Sequence, residues 1–203
     1  MTITDIKKGR KYLSAIYIDG ELAVRIDTRV ILEENVRIGK EITDEDLKEL
    51  IDLSNLRRAK EKALWLISHR DHSKKELVDK IAKTADKESA EVAADRMEEL
   101  GLVNDEKYAR RYAEELINVK HLSKSAVKYK LAQKGIDRDL IDEILCETET
   151  DPKEHIRAII EKKYLKNLSD EKGKRRCFAG LQRMGYGYSD INSVLQEYIE
   201  DEY

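Results

Sequence analysis

Apolar residues recur at every second position near the start of the chain and at every third or fourth position thereafter, which predicts a short β region followed by helices. Residues 11–18 alternate around Leu13, Ala15 and Tyr17, Asp19-Gly20 supplies the pair that a two-residue hairpin turn takes, and Leu22, Val24 and Ile26 resume the alternation. A β-hairpin is predicted there. Val30-Ile31-Leu32 and residues 36–38 read either as a third short strand ahead of Gly39 or as a helical turn, because runs this short fit both periods. At Thr43 the period changes. Thr43 with Asp46 makes a capping box, and Asp44 and Glu45 suit the positive end of a helix dipole. Leu47, Leu50, Ile51, Leu53 and Leu56 begin an apolar stripe that Ala63, Leu64, Leu66 and Ile67 continue toward Arg70, with the stop at His72-Ser73.

Sliding the chain against itself gives an internal match at an offset of 50 residues. Ser73, Leu77 and Ile81 fall on Ser123, Val127 and Leu131, and these on Gly173, Cys177 and Leu181, so that each copy carries an apolar pair four residues apart on one helix face. Gly135 falls on Gly185, and Ile141, Ile144 and Leu145 on Ile191, Val194 and Leu195; the first copy needs one inserted residue to bring Val92 and Met97 into line. Ahead of the serines, Ala63, Leu66, Ile67 and Arg70 match Ala113, Leu116, Ile117 and Lys120, whereas the third copy slips, with Ile156, Ile159, Ile160 and Tyr164 followed by a longer link. Each copy therefore predicts three helices: one before the serine, one starting at it and one after the break. Ser73 with Glu76 reads as a capping box, Ser123 is expected as an N-cap, and Gly101, Gly135 and Gly185 as left-handed helix ends. The expected architecture is mainly α, three tandem three-helix repeats in an elongated array behind an N-terminal β-hairpin region: residues 1–54 for the hairpin and leading helix, then repeats at 55–103, 104–149 and 150–203.

Composition agrees with long solvated helices: charged residues are 40 %, aromatics 6 %, and proline occurs once, at Pro152. With 39 Lys plus Arg against 42 Asp plus Glu, net charge draws the chain to no polyanion, and any basic surface has to be local. Cys146 and Cys177 form no CxxC and no apolar signal stretch opens the chain, so reduced thiols in a cytoplasm are expected, and no run approaches a membrane span. Cys177 occupies a repeat core position. The chain lacks a GxxxxGK[ST] phosphate loop, and His69-Arg70-Asp71, the opening of a kinase catalytic loop, has no companion motif; no catalytic role, cofactor or metal is assigned. His69 and His72 lack a third ligand at helical spacing, which favours a solvated loop over a metal site.

The stretch from Ala63 through Leu77, with Arg70, Ser73 and the Glu76-Leu77 pair, resembles the signature of RecX regulatory proteins. Leu100-Gly101-Leu102-Val103-Asn104-Asp105-Glu106-Lys107-Tyr108-Ala109 resembles the family's entry to its second repeat, and Ser123 through Lys134-Gly135-Ile136 its serine-to-Lys-Gly-Ile helix. The resemblance covers residues 11–198. It implies a protein of tandem three-helix repeats that binds the recombinase RecA along its filament and modulates ATP hydrolysis, strand exchange and coprotease activity in recombination and DNA repair. From the residues themselves, the lack of a catalytic constellation predicts a non-enzymatic protein, and the tiling of repeats an extended monomer. Departures lie in the third copy: Gly173 at the serine position, the lengthened link and the doublet Tyr186-Gly187-Tyr188.

Two acid-free stretches supply the candidate contacts to recombinase or DNA backbone: Lys120, Lys124, Lys128, Lys130 and Lys134 in the second repeat, and Lys172, Lys174, Arg175, Arg176 and Arg183 in the third. On a helix Arg176 and Arg183 fall together with Arg175 beside them, opposite Cys177, Phe178, Leu181 and Met184, so that helix has a basic face. The second-repeat lysines flank their apolar stripe, a placement that also suits snorkelling. Tyr186 and Tyr188 could stack on bases or a partner; Tyr108, Tyr112, Tyr164 and Tyr198, with Trp65, recur at helical apolar positions and are expected in core or rim. The reading that competes with the filament regulator is a free-standing DNA-binding protein of helix-turn-helix type, against which three copies in register count.

Overall fold

The computed structural model describes residues 1–10 and 12–200, the side chains of Ile199 and Glu200 excepted. Lys11, where the hairpin's alternation begins, and residues 201–203 of the third repeat lie outside the described residues. The chain divides into two compact units, Met1–Asn104 and Asp105–Tyr203.

The first unit opens on an antiparallel sheet of β1 (Ile3–Lys8), β2 (Leu13–Ile18) and β3 (Glu21–Asp27), in that order. Asp19 and Gly20, at φ 51° and 93°, make the two-residue turn of the expected hairpin between β2 and β3. The remaining strand is β1, ahead of the hairpin, and not Val30-Ile31-Leu32 or residues 36–38. Val30-Ile31-Leu32 lie in α1 (Thr28–Glu33), and residues 36–38 form no strand. The helical alternative wins because buried Asp27 accepts the Arg29 N–H at 2.8 Å and starts a turn, after which Val30 and Ile31 enter the core beneath the sheet with Ile3, Ile16 and Ile26.

A single helix, α2 (Asp44–Ile67), runs through residues 54 and 55 without a break, held at its start by the expected Thr43/Asp46 capping box. Its Leu50 lies in the sheet's core; Ala59, Ala63 and Leu66 lie in a second core with Leu77 and Ile81 of α3 (Lys74–Ile81) and Ala90, Ala93, Ala94 and Met97 of α4 (Lys87–Glu99). The Ser54 hydroxyl, also buried, accepts the Asp27 N–H at 2.9 Å and ties sheet to helix midway. Two expectations fail here. Val92 is exposed, because Ala90, Ala93, Ala94 and Met97 carry the buried face of α4. Trp65 is neither core nor rim: it is 53 % exposed, with the Lys62 ammonium 4.0 Å over its ring and His69 beside it at 4.3 Å, and its neighbour Leu64 is exposed as well.

His72, read from sequence as solvated, is only 4 % exposed. Its Nδ1 lies 2.8 Å from the Arg70 carbonyl, which can only accept, so Nδ1 carries the hydrogen and Nε2 is left to accept from the Lys80 ammonium at 2.9 Å. Burial first, then the charges of Arg70 and Lys80, hold its pKa below the usual value of 6.5, against the Arg70 carbonyl and Glu76, which favour the charged form. A depressed histidine pKa means that the unfolded chain takes up the proton first. Stability from this site is therefore complete above the unfolded pKa and falls as the pH drops below about 6.5. His72→Asn, which keeps a donor for the Arg70 carbonyl, is expected to flatten the acid limb of a pH series of thermal melts; an unchanged slope would show that His72 does not titrate on unfolding.

In the second unit, α5 (Asp105–Glu114) ends in the π-helical turn Glu115–Val119, and α6 (Lys124–Gln133) and α7 (Arg138–Glu147) complete the second repeat. The third repeat has α8 (Pro152–Ile159) with the π-helical turn Ile160–Tyr164 and a 3₁₀ turn at Leu165–Asn167, then α9 (Glu171–Arg183) and α10 (Tyr188–Glu200). Ser73 and Ser123 cap α3 and α6, and Gly101, Gly135 and Gly185 take φ of 69°, 79° and 90°, all as expected. The repeated pairs Leu77/Ile81, Val127/Leu131 and Cys177/Leu181 are all fully buried, each large aliphatic side chain contributing about 1.5–3 kcal/mol of transfer free energy. Burial pushes the Cys177 thiol up to about 11, the chemistry of a core residue and not of a nucleophile. Tyr108, Tyr112, Tyr164 and Tyr198 are partly buried at the edges of their repeat cores.

The third copy departs from the serine rule. Its second helix is capped by Asp170, whose carboxylate accepts the Gly173 N–H, so Gly173 lies inside the first turn. A Cβ at Gly173 would collide with the backbone carbonyl of Asn167 in the lengthened link, and one at Gly180 with the Tyr164 hydroxyl of the preceding π-helical turn, so both segments pack against the helix where these glycines leave room. Second and third repeats are joined by backbone and side-chain bonds: Ser123 N–H to the Met184 carbonyl at 3.0 Å, the Ser125 hydroxyl to the Gly185 carbonyl at 2.9 Å, and the Tyr186 hydroxyl to the His121 carbonyl at 2.8 Å.

Among the described residues no helix is long and apolar enough to cross a membrane.

Candidate nucleic-acid interface

Helix α9 places its charges by simple rotation. At 100° per residue Lys172, Arg175, Arg176 and Arg183 share an arc about 100° wide, while Gly173, Cys177, Gly180 and Leu181 face the core. Lys172 and the three arginines are exposed and have no ion pair among the described residues. Lys174 stands apart, half-buried and 3.9 Å from the Glu171 carboxylate. Asp170 and Glu171 sit at the opening of the helix, so the acids of this element are confined to the end whose dipole favours them and the arginines project beyond.

The second-repeat lysines are used differently. Lys120 pairs with Glu115 at 2.7 Å across the π-helical turn, Lys128 pairs with Asp142 of α7, and the Lys124 ammonium donates to the Leu145 carbonyl at 2.8 Å near the end of α7. Lys134 lies 5.9 Å over the Tyr112 ring. Of the five, only Lys130 is without such a contact among the described residues, and it is half-buried. The stretch is acid-free in sequence but not in space, because its acids come from the preceding turn and the following helix. Lys74, Lys124 and Lys174, spaced by 50 residues, all stand at the start of the second helix of their repeats. In the first repeat Lys74 reaches Asp95 and Glu98 of α4 at 2.7 Å each, and these bonds raise its pKa. The recurrence was visible as an offset of 50, but that Lys74 and Lys124 strap the second helix to the third, whereas Lys174 stays with Glu171 on its own helix, required the fold.

The aromatic doublet is split by the structure. Tyr186 is 6 % exposed, with its hydroxyl bound to the second repeat and its pKa pushed up to about 12 by burial, so it offers no ring to a base. Tyr188, at the first position of α10, is 68 % exposed and meets Phe178 of α9 edge to face, with centroids 5.2 Å apart and planes inclined at 63°. Sequence reasoning named Tyr188 but not its companion; Phe178 was legible only as part of the buried arc. The described residues bring together no group of three or more His, Cys, Asp or Glu that could hold a metal ion.

Comparison with known proteins places this geometry in a family. Family profiles described as the second and the third three-helix domains of RecX match residues 104–145 and 149–195. Regulatory protein RecX of Clostridioides difficile is 30 % identical over 192 residues, which cover 93 % of this chain and 91 % of that one. Regulatory protein RecX of Caldanaerobacter subterraneus is 32 % identical over 201 residues, covering 96 % and 98 %. A crystal structure of regulatory protein RecX shares the fold at a TM-score of 0.61 and 21 % identity, over 95 % of this chain and 98 % of that one. With identity at this level over nearly the whole length of both chains, and with the second and third repeats each matched to a RecX domain, this chain belongs to the RecX family of regulatory proteins.

Proposed function

We propose that this protein regulates RecA without catalysis of its own: it binds the recombinase filament, lowers its ATPase, strand-exchange and coprotease activities, and touches DNA backbone through the exposed face of α9. Membership of the RecX family supports the partner. The observation that carries the contact is the arc of Arg175, Arg176 and Arg183, exposed and without ion pairs among the described residues. Guanidinium groups held this way are free to meet phosphate or carboxylate in a bidentate fashion. The lysines of the second repeat contribute less under this reading, because Lys120, Lys124 and Lys128 already have partners within the chain. Each contact is small, so affinity for the filament comes from linking several, and inhibition is expected below one copy per recombinase subunit.

The test is a titration of RecA ATPase on single-stranded DNA with the intact chain and with variants reversed in charge at Lys124 and Lys128, at Arg176 and Arg183, and at all four. The intact chain is expected to lower the rate while hydrolysing no ATP itself, the arginine pair to weaken inhibition more than the lysine pair, and the fourfold variant most. An unchanged rate and filament length at equimolar protein would overturn the regulator reading and leave the helix-turn-helix DNA-binding protein in its place.

A further inference from the structure

Beside the arginine arc stands an aromatic ledge that phosphate binding does not require. On the helical wheel of α9, Phe178 lies about 60° from Arg175 with Gln182 between them, at the border of the basic arc and the buried face. Phe178 is partly buried in the third repeat's core, which fixes it, and Tyr188 rests edge-on against it with most of its own surface in solvent. No cation lies over the Tyr188 ring among the described residues, in contrast to Trp65, whose face Lys62 occupies. A ring braced on one edge and open otherwise loses little conformational freedom when a second flat group stacks on it. Guanidinium groups beside it serve the backbone that carries such a group.

We propose that Tyr188, braced by Phe178, is a base-stacking position that makes the third repeat a binder of single-stranded nucleic acid, with Arg175, Arg176 and Arg183 on the phosphates. This rests on the reading of the α9 face as a DNA contact and adds the strand form that it selects. Bases of a duplex are stacked on one another and offer no face to Tyr188; an unpaired base does. Stacking and phosphate contact also differ in their response to salt. Each phosphate contact on a single strand adds about 0.7 to the slope of log K against log salt, and a stacked ring adds nothing.

The experiment measures fluorescence anisotropy of the intact chain with three labelled probes of equal length, an oligothymidylate, an abasic single strand and a duplex, across a salt series. Tyr188→Ala is expected to lower oligothymidylate affinity about 5- to 150-fold, the range that one base stacked on an aromatic ring spans. Affinity for the abasic strand and the duplex, and the salt slope on all three probes, should not change. Tyr188→Phe, which keeps the ring, should restore binding. Equal loss on all three probes, or no loss on any, overturns the stacking position. If Tyr188→Ala instead weakens RecA inhibition with DNA binding intact, the ledge is a protein contact and the proposal is wrong. Should the unaltered chain bind none of the probes at low salt, the α9 face is not a DNA contact at all, and the prior reading fails before this one.

Discussion

Replacing Gly173 with alanine is expected to lower the stability of the second unit by about 2 kcal/mol, although alanine is the better helix former. Two effects oppose. Helix propensity favours alanine over glycine by up to about 1 kcal/mol in a helix interior. Against this, the added Cβ lands on the Asn167 carbonyl, which belongs to backbone and has no rotamer into which to retreat, so the 3₁₀ turn at Leu165–Asn167 has to move. Overpacking of this kind costs about 3 kcal/mol at the upper end of its usual range, and the clash wins. For a unit near a hundred residues the net loss corresponds to a fall in Tm of roughly 8–16 °C. The lone tryptophan, Trp65, belongs to the first unit, so its fluorescence follows that unit while far-ultraviolet circular dichroism follows the helices of both. Gly173→Ala should move the dichroism transition and leave the fluorescence transition in place. Gly187→Ala is the control, since a Cβ there meets only the Asp190 carboxylate at an ordinary 3.7 Å. A Gly173 variant as stable as that control would show that the link yields freely.

Reversing Arg175, Arg176 and Arg183 to glutamate together is expected to abolish DNA binding with helicity intact. The three side chains are exposed on α9, so their replacement disturbs no core. Three phosphate contacts account for a slope of about 2.1 in log K against log salt on single strands, and the triple variant should lose that slope along with the affinity. Neutral glutamine in place of glutamate removes attraction without adding repulsion and should give an intermediate affinity. Retention of the slope by the glutamate variant would move the site to another part of the surface.

What was legible in the sequence follows from which forces are local. Period, caps and turn chemistry act within a few residues, and they located the hairpin at Asp19-Gly20, the capping box at Thr43, the serine caps and the three buried pairs of the repeats. β1 escaped notice because its buried Ile3 and half-buried Ile6 are three apart, an odd spacing that a strand tolerates only through the irregularity in register between Ile3 and Asp5. The third repeat's helix start was misplaced because Gly173 looks like a weakened serine cap, whereas contact with Asn167, not capping, decides the residue there. Of the candidate site, the α9 arc was legible because a single helix determines it. The second-repeat lysines were not, since whether a lysine is free depends on acids such as Asp142 that only the packing of α7 brings near. Tyr186 and Tyr188 look alike in sequence and were separated only by the contact that buries one of them against His121.

The continuity of α2 bears on how the first unit loses its structure. Leu50 belongs to the core under the sheet and Ala59, Ala63 and Leu66 to the core of the first repeat, with the Ser54 hydroxyl bonded to Asp27 between them. Opening either core strips packing from a helix whose hydrogen-bonded ladder the other also needs, and no glycine or proline interrupts that ladder to let one half fray alone. The sheet and the first three-helix repeat are thus expected to open as one foldon, with the slowest-exchanging amides shared between a β structure and a helical bundle that sequence periodicity would assign to separate modules.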